Sequence, residues 1–446
     1  MELTLFTTKF ENGKKRETAA KKLFSDDAGR ENEIINIYPE VAYQVFEGFG
    51  GAFTDSSGYV FSLMDKSEKA RLIESYFGEN GAGYTLGRIH LDSCDFSLAH
   101  YEAIAPGDET IESFSLERHN QYIQPLLEAA QSKRGEPIKL IASTWSPPAF
   151  MKTTGKRNGG GALLDQYRPL YARYVCRMIN ELRKAGYHIT RLNVQNEPNA
   201  VQTWDSCIYT AEQEKVFLRD YLRPALIEAG LGDVGIFIWD HNKERVYERA
   251  VRTIDEDTSG FIEGVAFHWY SGDHFEAVDM VRQRFPDKKL VQTEACIEYR
   301  HYGKDPMFAP RKYAHDIIGD LNAGMSAFYD WNLLLDEEGG PNHVGNYCEA
   351  PFLYDTQTKT LHERPAFAYI THFSKYIRPG AKRIAFSRYA AQLEVTAFKN
   401  PDGTIALVVL NDSDETMPAF IRINNQTAEI TAPKQSISTA IIQGRS

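Results

Sequence analysis

Two carboxylates in this sequence are placed where an acid and a nucleophile could work together. Glu197 ends the run Leu192-Asn193-Val194-Gln195-Asn196 and is followed by Pro198, while Glu294 ends the run Leu290-Val291-Gln292-Thr293. Each follows a short apolar stretch of strand length, and proline is a strand stop because it cannot continue a ladder. Singly, a glutamate at a strand end reads as a solvated rim residue. Two that face each other are what cleavage of a glycosidic bond requires. One protonates the leaving oxygen, and the other attacks the anomeric carbon or activates water. Trp145, Trp269, Tyr270 and Trp331 stand at the ends of similar runs and offer flat apolar faces suited to sugar rings. His268, in the same neighbourhood, reads as a structural histidine rather than a base or ligand.

For these side chains to meet, a scaffold must carry many strand ends to one face. From about Phe46 to Tyr376, short β-branched and aromatic runs alternate with longer segments of helical period. Eight strands are expected, at Phe46–Phe53, Tyr84–Leu91, Ile138–Thr144, Arg191–Asn196, Val234–Trp239, Gly264–Trp269, Leu290–Glu294 and Ser326–Trp331. Helices are expected at Leu116–Gln131, Leu164–Ala185, Ala211–Ala229, Asn242–Ile254 and Pro310–Asn322. This alternation reads as an α/β fold, a (β/α)8 TIM barrel, whose active site lies at the C-terminal ends of the strands. Strands four and seven face each other across such a mouth, so Glu197 and Glu294 would share one cleft.

After Ala381 the helical period stops. Runs at Leu393–Phe398, Thr404–Leu410, Ala419–Ile423 and Ile437–Ile442 are separated by turn formers such as Asn400-Pro401-Asp402-Gly403. They read as an antiparallel β-sandwich, which the strand-like piece Glu33–Tyr38 should join. The expected division is therefore 1–44 as the N-terminal part of the sandwich, 45–376 as the barrel, and 377–446 as the rest of the sandwich.

The chain has 446 residues, of which 42% are hydrophobic and 25% charged, enough for a large buried core. Its net charge is 50 − 61 = −11. An acidic surface argues against nucleic acid as a partner, since phosphate neutralisation needs clustered Lys and Arg, and against docking on anionic membranes. A small neutral or cationic substrate fits better. The cysteines Cys94, Cys176, Cys207, Cys296 and Cys348 are an odd number with no CxxC pair, which suits neither a disulfide framework nor a zinc site. No apolar run has the length of a membrane span, and residues 1–20 lack a signal-peptide core, so a soluble cytoplasmic protein without stable membrane insertion is expected. No cofactor and no metal are expected. A metal-dependent reading built on His268, Asp240 and Asp55 lacks paired histidines at ligand spacing.

Several longer motifs, in order, resemble glycoside hydrolase family 30, the glucosylceramidase family. They are Gly48-Phe49-Gly50-Gly51-Ala52-Phe53-Thr54-Asp55, Ser93-Cys94-Asp95-Phe96-Ser97 and Ala142-Ser143-Thr144-Trp145-Ser146-Pro147-Pro148. Asn196-Glu197-Pro198, His268-Trp269-Tyr270, Thr293-Glu294-Ala295-Cys296, Asp330-Trp331-Asn332-Leu333 and Gly339-Gly340-Pro341-Asn342 complete the set. The resemblance runs from about residue 45 to 446. It implies a retaining β-glycosidase acting on β-glucosides, with Glu197 as acid/base and Glu294 as nucleophile. It further implies that Asn196 meets the sugar 2-hydroxyl, that Asp55, Trp145 and Trp331 bind the non-reducing sugar, that Tyr270 contacts the nucleophile, and that Asn342 lies at the pocket rim.

If the mechanism is retaining, the two carboxyl groups should be about 5 Å apart, against roughly 6.5–9.5 Å for inversion. Burial and the neighbouring Glu294 charge should raise the pKa of Glu197. Asp92, in a segment that departs from the family pattern, is expected to pair with Arg88 or to reach the cleft. The glycine-rich loop Gly155–Gly161 could shape the leaving-group side. A β-xyloside, a β-fucoside or β-1,6-glucan is the alternative substrate, and a carbohydrate-binding protein without catalysis is the alternative from another class.

Overall fold

The computed structural model describes residues 1–443, so the last three residues of the 377–446 segment lie outside it. Eight parallel strands close into a barrel: β1 (Gly48–Ala52), β2 (Leu86–Leu91), β3 (Lys139–Thr144), β4 (Ile189–Asn193), β5 (Gly235–Asn242), β6 (Ile262–His268), β7 (Lys289–Glu294) and β8 (Ala327–Asp330). Closure is made by β8 against β1, with Ala327 opposite Gly48. All eight strands read from the sequence are present. β4 leaves its ladder at Asn193 rather than Asn196, and β5 runs on to Asn242.

The β1 strand is unusually rich in glycine because its neighbour is close. A Cβ on Gly50 would stand 2.2 Å from the carbonyl oxygen of Leu86, so any side chain there would push β1 and β2 apart. Inside the barrel, Leu86, Ile141, Phe237, Ala266, Val291, Ala327 and Tyr329 fill one apolar layer. The interior is therefore packed rather than open. Along β2, β3 and β6 the next inward positions toward the strands' C-terminal ends are polar: Arg88, Ser143 and His268. The period of two that makes the core thus also lifts polar groups to the mouth.

Helices after each strand cover the barrel. They include Glu117–Arg134, Arg168–Lys184, Val246–Thr253 and Phe308–Ala323, near the segments the sequence indicates. The expected helix Ala211–Ala229 is interrupted by a wider π turn over Leu218–Leu222. Pro224, just beyond it, has no backbone N–H to offer the regular ladder. Helices at Asp55–Leu63, Lys66–Phe77, Phe275–Arg284 and Pro365–Ser374 complete the ring without having been read from the sequence.

Both termini build the second sheet, in the order Lys14–Leu23, Glu2–Glu11, Ser436–Gln443, Ile405–Asn411, Leu393–Lys399, Lys382–Tyr389, Ile34–Val45, Met417–Ile423, Gln426–Ala432, Ser25–Asp26. Its pairs are antiparallel except Met417–Ile423 with Ile34–Val45, where Phe420–Arg422 runs parallel to Ile34–Asn36. The sheet folds over its own core, in which Leu3, Ile35, Leu407 and Ile430 belong to one cluster. The N-terminal hairpin Glu2–Leu23 was not read from the sequence. Its outer strand Lys14–Leu23 is exposed throughout and has no apolar alternation, and its lysines suit a sheet edge that must not recruit further strands. His372, on the last barrel helix, joins the two units by hydrogen bonds of 2.8 Å to Thr8 and Thr439.

Candidate active site

The C-terminal ends of the strands surround a cavity of about 580 Å³ lined by Glu197, Glu294, Asn196, Trp145, Tyr270 and Trp331, together with Asp95 and Asn346. Near these ends the backbone is left-handed at several non-glycine residues: Asp92 (φ 59°), Glu197 (φ 46°), Asp240 (φ 51°) and Asn332 (φ 53°). Such conformations are costly and persist where the surroundings over-determine them. At Glu197 the constraint is visible. The Asn196 amide donates to Thr144 O at 2.7 Å, and the Glu197 amide donates to Asp240 O at 2.9 Å, so adjacent strands hold the turn from both sides.

Glu197 and Glu294 face each other with His268 beside them. One carboxylate oxygen of each and a ring nitrogen of His268 all lie within 4.8 Å of one another. Glu294 accepts from Tyr270 Oη at 2.9 Å and from Arg88 Nη1 at 2.6 Å, one donor on each oxygen. Arg88 is fully buried and also donates to Asp240 (2.8 Å), Asn196 Oδ1 (2.9 Å) and Ser143 Oγ (3.0 Å). Above it, Trp145 and Trp331 stack at 5.4 Å between ring centroids, with the guanidinium 4.8 and 5.4 Å from the two rings. The floor of the pocket is thus one cation shared by two carboxylates and covered by two indoles.

His268 ties the acid to the same floor. Its Nδ1 is 3.2 Å from Glu197 Oε1 and its Nε2 is 3.2 Å from Asp240 Oδ1. Burial lowers the His268 pKa, but the Glu294 charge and the hydrogen bonds to Asp240 and Glu197 outweigh it and carry it up to about 9. The expectation for Glu197 is corrected accordingly. Burial does push it up, yet His241 and the hydrogen bond with His268 pull it down, to about 2. Glu294 is instead the raised member, through burial, against the opposing charges of His268 and Arg88. Histidine and Glu197 share one hydrogen bond, so the proton belongs to the couple and can reside on either partner. The sequence reading placed it on Glu197 because it treated His268 as inert.

Two of the expected binding residues lie elsewhere. Asp55 is fully buried at the start of its helix, away from the pocket lining, where Oδ2 accepts from the Leu98 amide at 2.9 Å and from Arg118 at 2.7 Å. Thr54 caps that helix, which turns Asp55 onto the neighbouring loop. The pocket carboxylate from this part of the chain is Asp95, within the Ser93-Cys94-Asp95-Phe96-Ser97 motif. Burial and the charges of Glu294 and Glu197 raise its pKa well above the carboxylate range. Asn342 also stays out of the lining. Its side chain braces its own loop, donating to Asn346 O at 2.8 Å and accepting from the amides of Val344 and Asn346. It is Asn346 that faces the pocket, 3.4 Å from Asp95 Oδ2.

Asp92 pairs with neither Arg88 nor the cleft. It accepts from Tyr174 Oη at 2.6 Å and from the Ala103 amide at 2.9 Å, with Arg157 at 3.4 Å. Arg88 is taken up by Glu294, Asp240, Asn196 and Ser143, whereas Asp92 lies just past the end of β2 in left-handed backbone. The Gly155–Gly161 loop acts one layer back: the Gly159 amide donates to Gln202 O, and Gln202, Thr203 and Trp204 line the pocket. Of the two groups that organise the carboxylates, His268 stands in a family motif but reads as structural, and Arg88 has only its inward register on β2 to betray it.

Residues 46–377 match the glycosyl hydrolase family 30 TIM-barrel domain, and residues 380–440 match the family 30 beta sandwich domain. The chain is 31% identical to the lysosomal acid glucosylceramidase of Mus musculus over 407 residues, covering 87% of this chain and 79% of that one. Among solved structures, SrfJ from Salmonella typhimurium is similar with a TM-score of 0.94 at 38% identity, over 100% of both chains. The endo-beta1,6-glucanase BT3312 is similar with a TM-score of 0.86 at 27% identity, again over 100% of both. With both domains matched in order and the barrel mouth carrying paired glutamates, the chain belongs to glycosyl hydrolase family 30 and is a glycoside hydrolase.

Proposed function

We propose that the protein is a retaining β-glycosidase that removes a β-linked glucose, glucosylceramidase-like, through a glycosyl-enzyme. The observation that carries this reading is the spacing of the two carboxylates, whose nearest oxygens are within 4.8 Å. That spacing accords with the roughly 5–5.5 Å carboxyl separation of retaining enzymes and falls short of the roughly 6.5–9.5 Å that inversion uses, which supports direct attack by one carboxylate. Glu294, which accepts from Tyr270 and Arg88, attacks the anomeric carbon as the carboxylate. The bond to the aglycone breaks as Glu197 delivers a proton to the departing oxygen. With Glu294 esterified, its charge is gone, and Glu197 takes a proton from water as that water attacks the anomeric carbon. The same attack breaks the ester bond and releases the Glu294 carboxylate.

Asn196 serves the same step. Because Arg88 occupies its carbonyl oxygen, the amide NH2 is free to donate to the sugar 2-hydroxyl, a contact that strengthens as the ring approaches an oxocarbenium ion. Asp95 and Asn346 are placed to accept from and donate to other hydroxyls, and the stacked indoles supply the apolar wall. A second reading, cleavage of β-1,6-glucan, is favoured by the full-length similarity to a β-1,6-glucanase. Both readings share the mechanism and differ in what lies beyond the scissile bond.

The test is hydrolysis of aryl β-glucoside, xyloside, fucoside and galactoside, with glucosylceramide and β-1,6-linked glucose oligomers as natural candidates and the product anomer followed by NMR. Release of β-glucose from the glucosides is expected first. First-formed α-glucose would exclude retention, and turnover of glucan with none of glucosylceramide would select the second reading.

A further inference from the structure

Away from the paired glutamates, another group of side chains converges with ligand chemistry. One ring nitrogen of His100, one of His343 and one carboxylate oxygen of Asp205 all lie within 4.8 Å of one another. His100 Nδ1 is 3.0 Å from Asp205 Oδ2, and the two imidazoles meet edge to face with centroids 4.3 Å apart. Ligand atoms around a tetrahedral ion with bonds of about 2.0–2.1 Å are roughly 3.3 Å from one another. Small side-chain rotations would bring the three atoms to that spacing.

Their protonation states also suit a cation. His343 Nδ1 is 2.8 Å from Ser97 O, and a carbonyl only accepts, so Nδ1 carries the hydrogen and Nε2 presents a lone pair. That Nε2 is buried and has no hydrogen-bond partner among the described residues. Fixing one imidazole nitrogen through a carbonyl so that the other is free is how proteins orient metal-binding histidines. Asp205 is fully buried and pairs with Arg157 and His100. Ser93 and Arg157 occupy Oδ1, which leaves Oδ2 for whatever His100 and His343 share.

A simple His100–Asp205 ion pair would account for two of these residues and leave the buried His343 Nε2 unsatisfied. We propose that His100, Asp205 and His343 bind zinc, or a divalent ion of the same borderline character, with water as fourth ligand. The guanidinium of Arg157 tempers the affinity without occupying the ligand oxygen. His100 is 41% exposed, so the ion enters from solvent.

The location gives the site a consequence. Its ligands come from three loops, those following β2, β4 and β8, and the same loops send Asp95, Trp204 and Asn346 into the pocket. An ion here staples the three loops together behind the substrate. The sequence gives no hint of it, because the ligands come from distant parts of the chain and meet only through the barrel.

The experiment titrates the metal-stripped full-length protein with ZnCl2 by calorimetry and with CoCl2 by visible absorption, where tetrahedral cobalt gives intense bands. One ion per chain is expected, with Tm rising on zinc addition. His343→Ala and His100→Ala, checked for folding by circular dichroism, should each weaken binding about 10–100-fold or more and remove the Tm shift. Glu294→Gln, which alters the Glu197–His268–Glu294 cluster, should bind zinc as the wild type does. Absence of saturable binding at millimolar zinc, affinity unchanged in His343→Ala and His100→Ala, or binding lost in Glu294→Gln would each overturn the proposal.

Discussion

Arg88 reaches Glu294 at 2.6 Å, in a contact where the guanidinium is fully buried and the carboxylate nearly so. The same guanidinium holds Asp240 at 2.8 Å, so one cation balances two carboxylates in the barrel mouth. Burial disfavours the charge on Arg88, yet Asp240 and Glu294 outweigh it and raise its pKa. Removing the cation leaves Asp240 with His268 and Thr293 and Glu294 with Tyr270, and takes one buried positive charge from between two carboxylates.

Arg88→Met should therefore cost about 3–5 kcal/mol of stability, the usual effect of breaking a buried ion pair from one side. Urea unfolding followed by fluorescence measures it. Arg88→Lys should recover part of the stability but little kcat, because an ammonium cannot span Glu294, Asp240 and Asn196 together. A denaturation midpoint unmoved in Arg88→Met would refute the hub role.

His268 makes stability pH-dependent. Its pKa is raised on folding, from an ordinary 6.5 to about 9, so its contribution is fully present below about 6.5 and is lost as pH rises through about 9. That displacement corresponds to roughly 3 kcal/mol. Between these limits the wild type should lose stability with rising pH more steeply than His268→Gln, as followed by Tm in buffers of matched ionic strength. The alkaline limb of kcat/KM should also move in the variant, since the proton that reaches the leaving group comes from the Glu197–His268 couple. Parallel stability profiles would show that His268 is neutral in the folded protein.

Asp55 and Asp95 should separate cleanly. Asp55→Ala strands the Leu98 amide and Arg118 and should lower stability by about 1–3 kcal/mol with KM unchanged. Asp95→Ala removes a pocket group and should raise KM about 2–10-fold, the size of one lost hydrogen bond. Steady-state kinetics and thermal melts on both variants decide it. A KM defect in Asp55→Ala equal to that of Asp95→Ala would contradict the placement of the two carboxylates.

Glu197→Gln should show leaving-group dependence. Loss of a general acid costs about 10²–10⁴-fold where the aglycone needs protonation. Alkyl β-glucosides should lose that much, whereas dinitrophenyl β-glucoside should still glycosylate the enzyme and stall at the intermediate. Glu294→Gln should abolish turnover of both. Equal losses on the two substrates in Glu197→Gln would argue against its role as acid.

What could be read from the residues alone was whatever local pattern carries. The apolar runs ending at Glu197 and Glu294 announced strands, their alternation with helical segments announced the barrel, and the family motifs tied the two glutamates to one chemistry. Lys14–Leu23 escaped because an exposed edge strand has no apolar face to display, and Phe275–Arg284 was likewise missed between strands that were read correctly. The family motifs put Asp55 and Asn342 in the pocket, whereas the residues that enter it are Asp95, on the loop after the neighbouring strand, and Asn346, four residues further on. The choice between Asp55 and Asp95, or Asn342 and Asn346, depends on where a helix cap or loop turn points a side chain. Only the tertiary structure decides that. The closed barrel likewise brings Arg88 from β2, Asp240 from β5, His268 from β6 and Glu294 from β7 within hydrogen-bonding reach. The proton placement follows from that meeting, since charges buried together set one another's pKa and sequence separation carries no information about it.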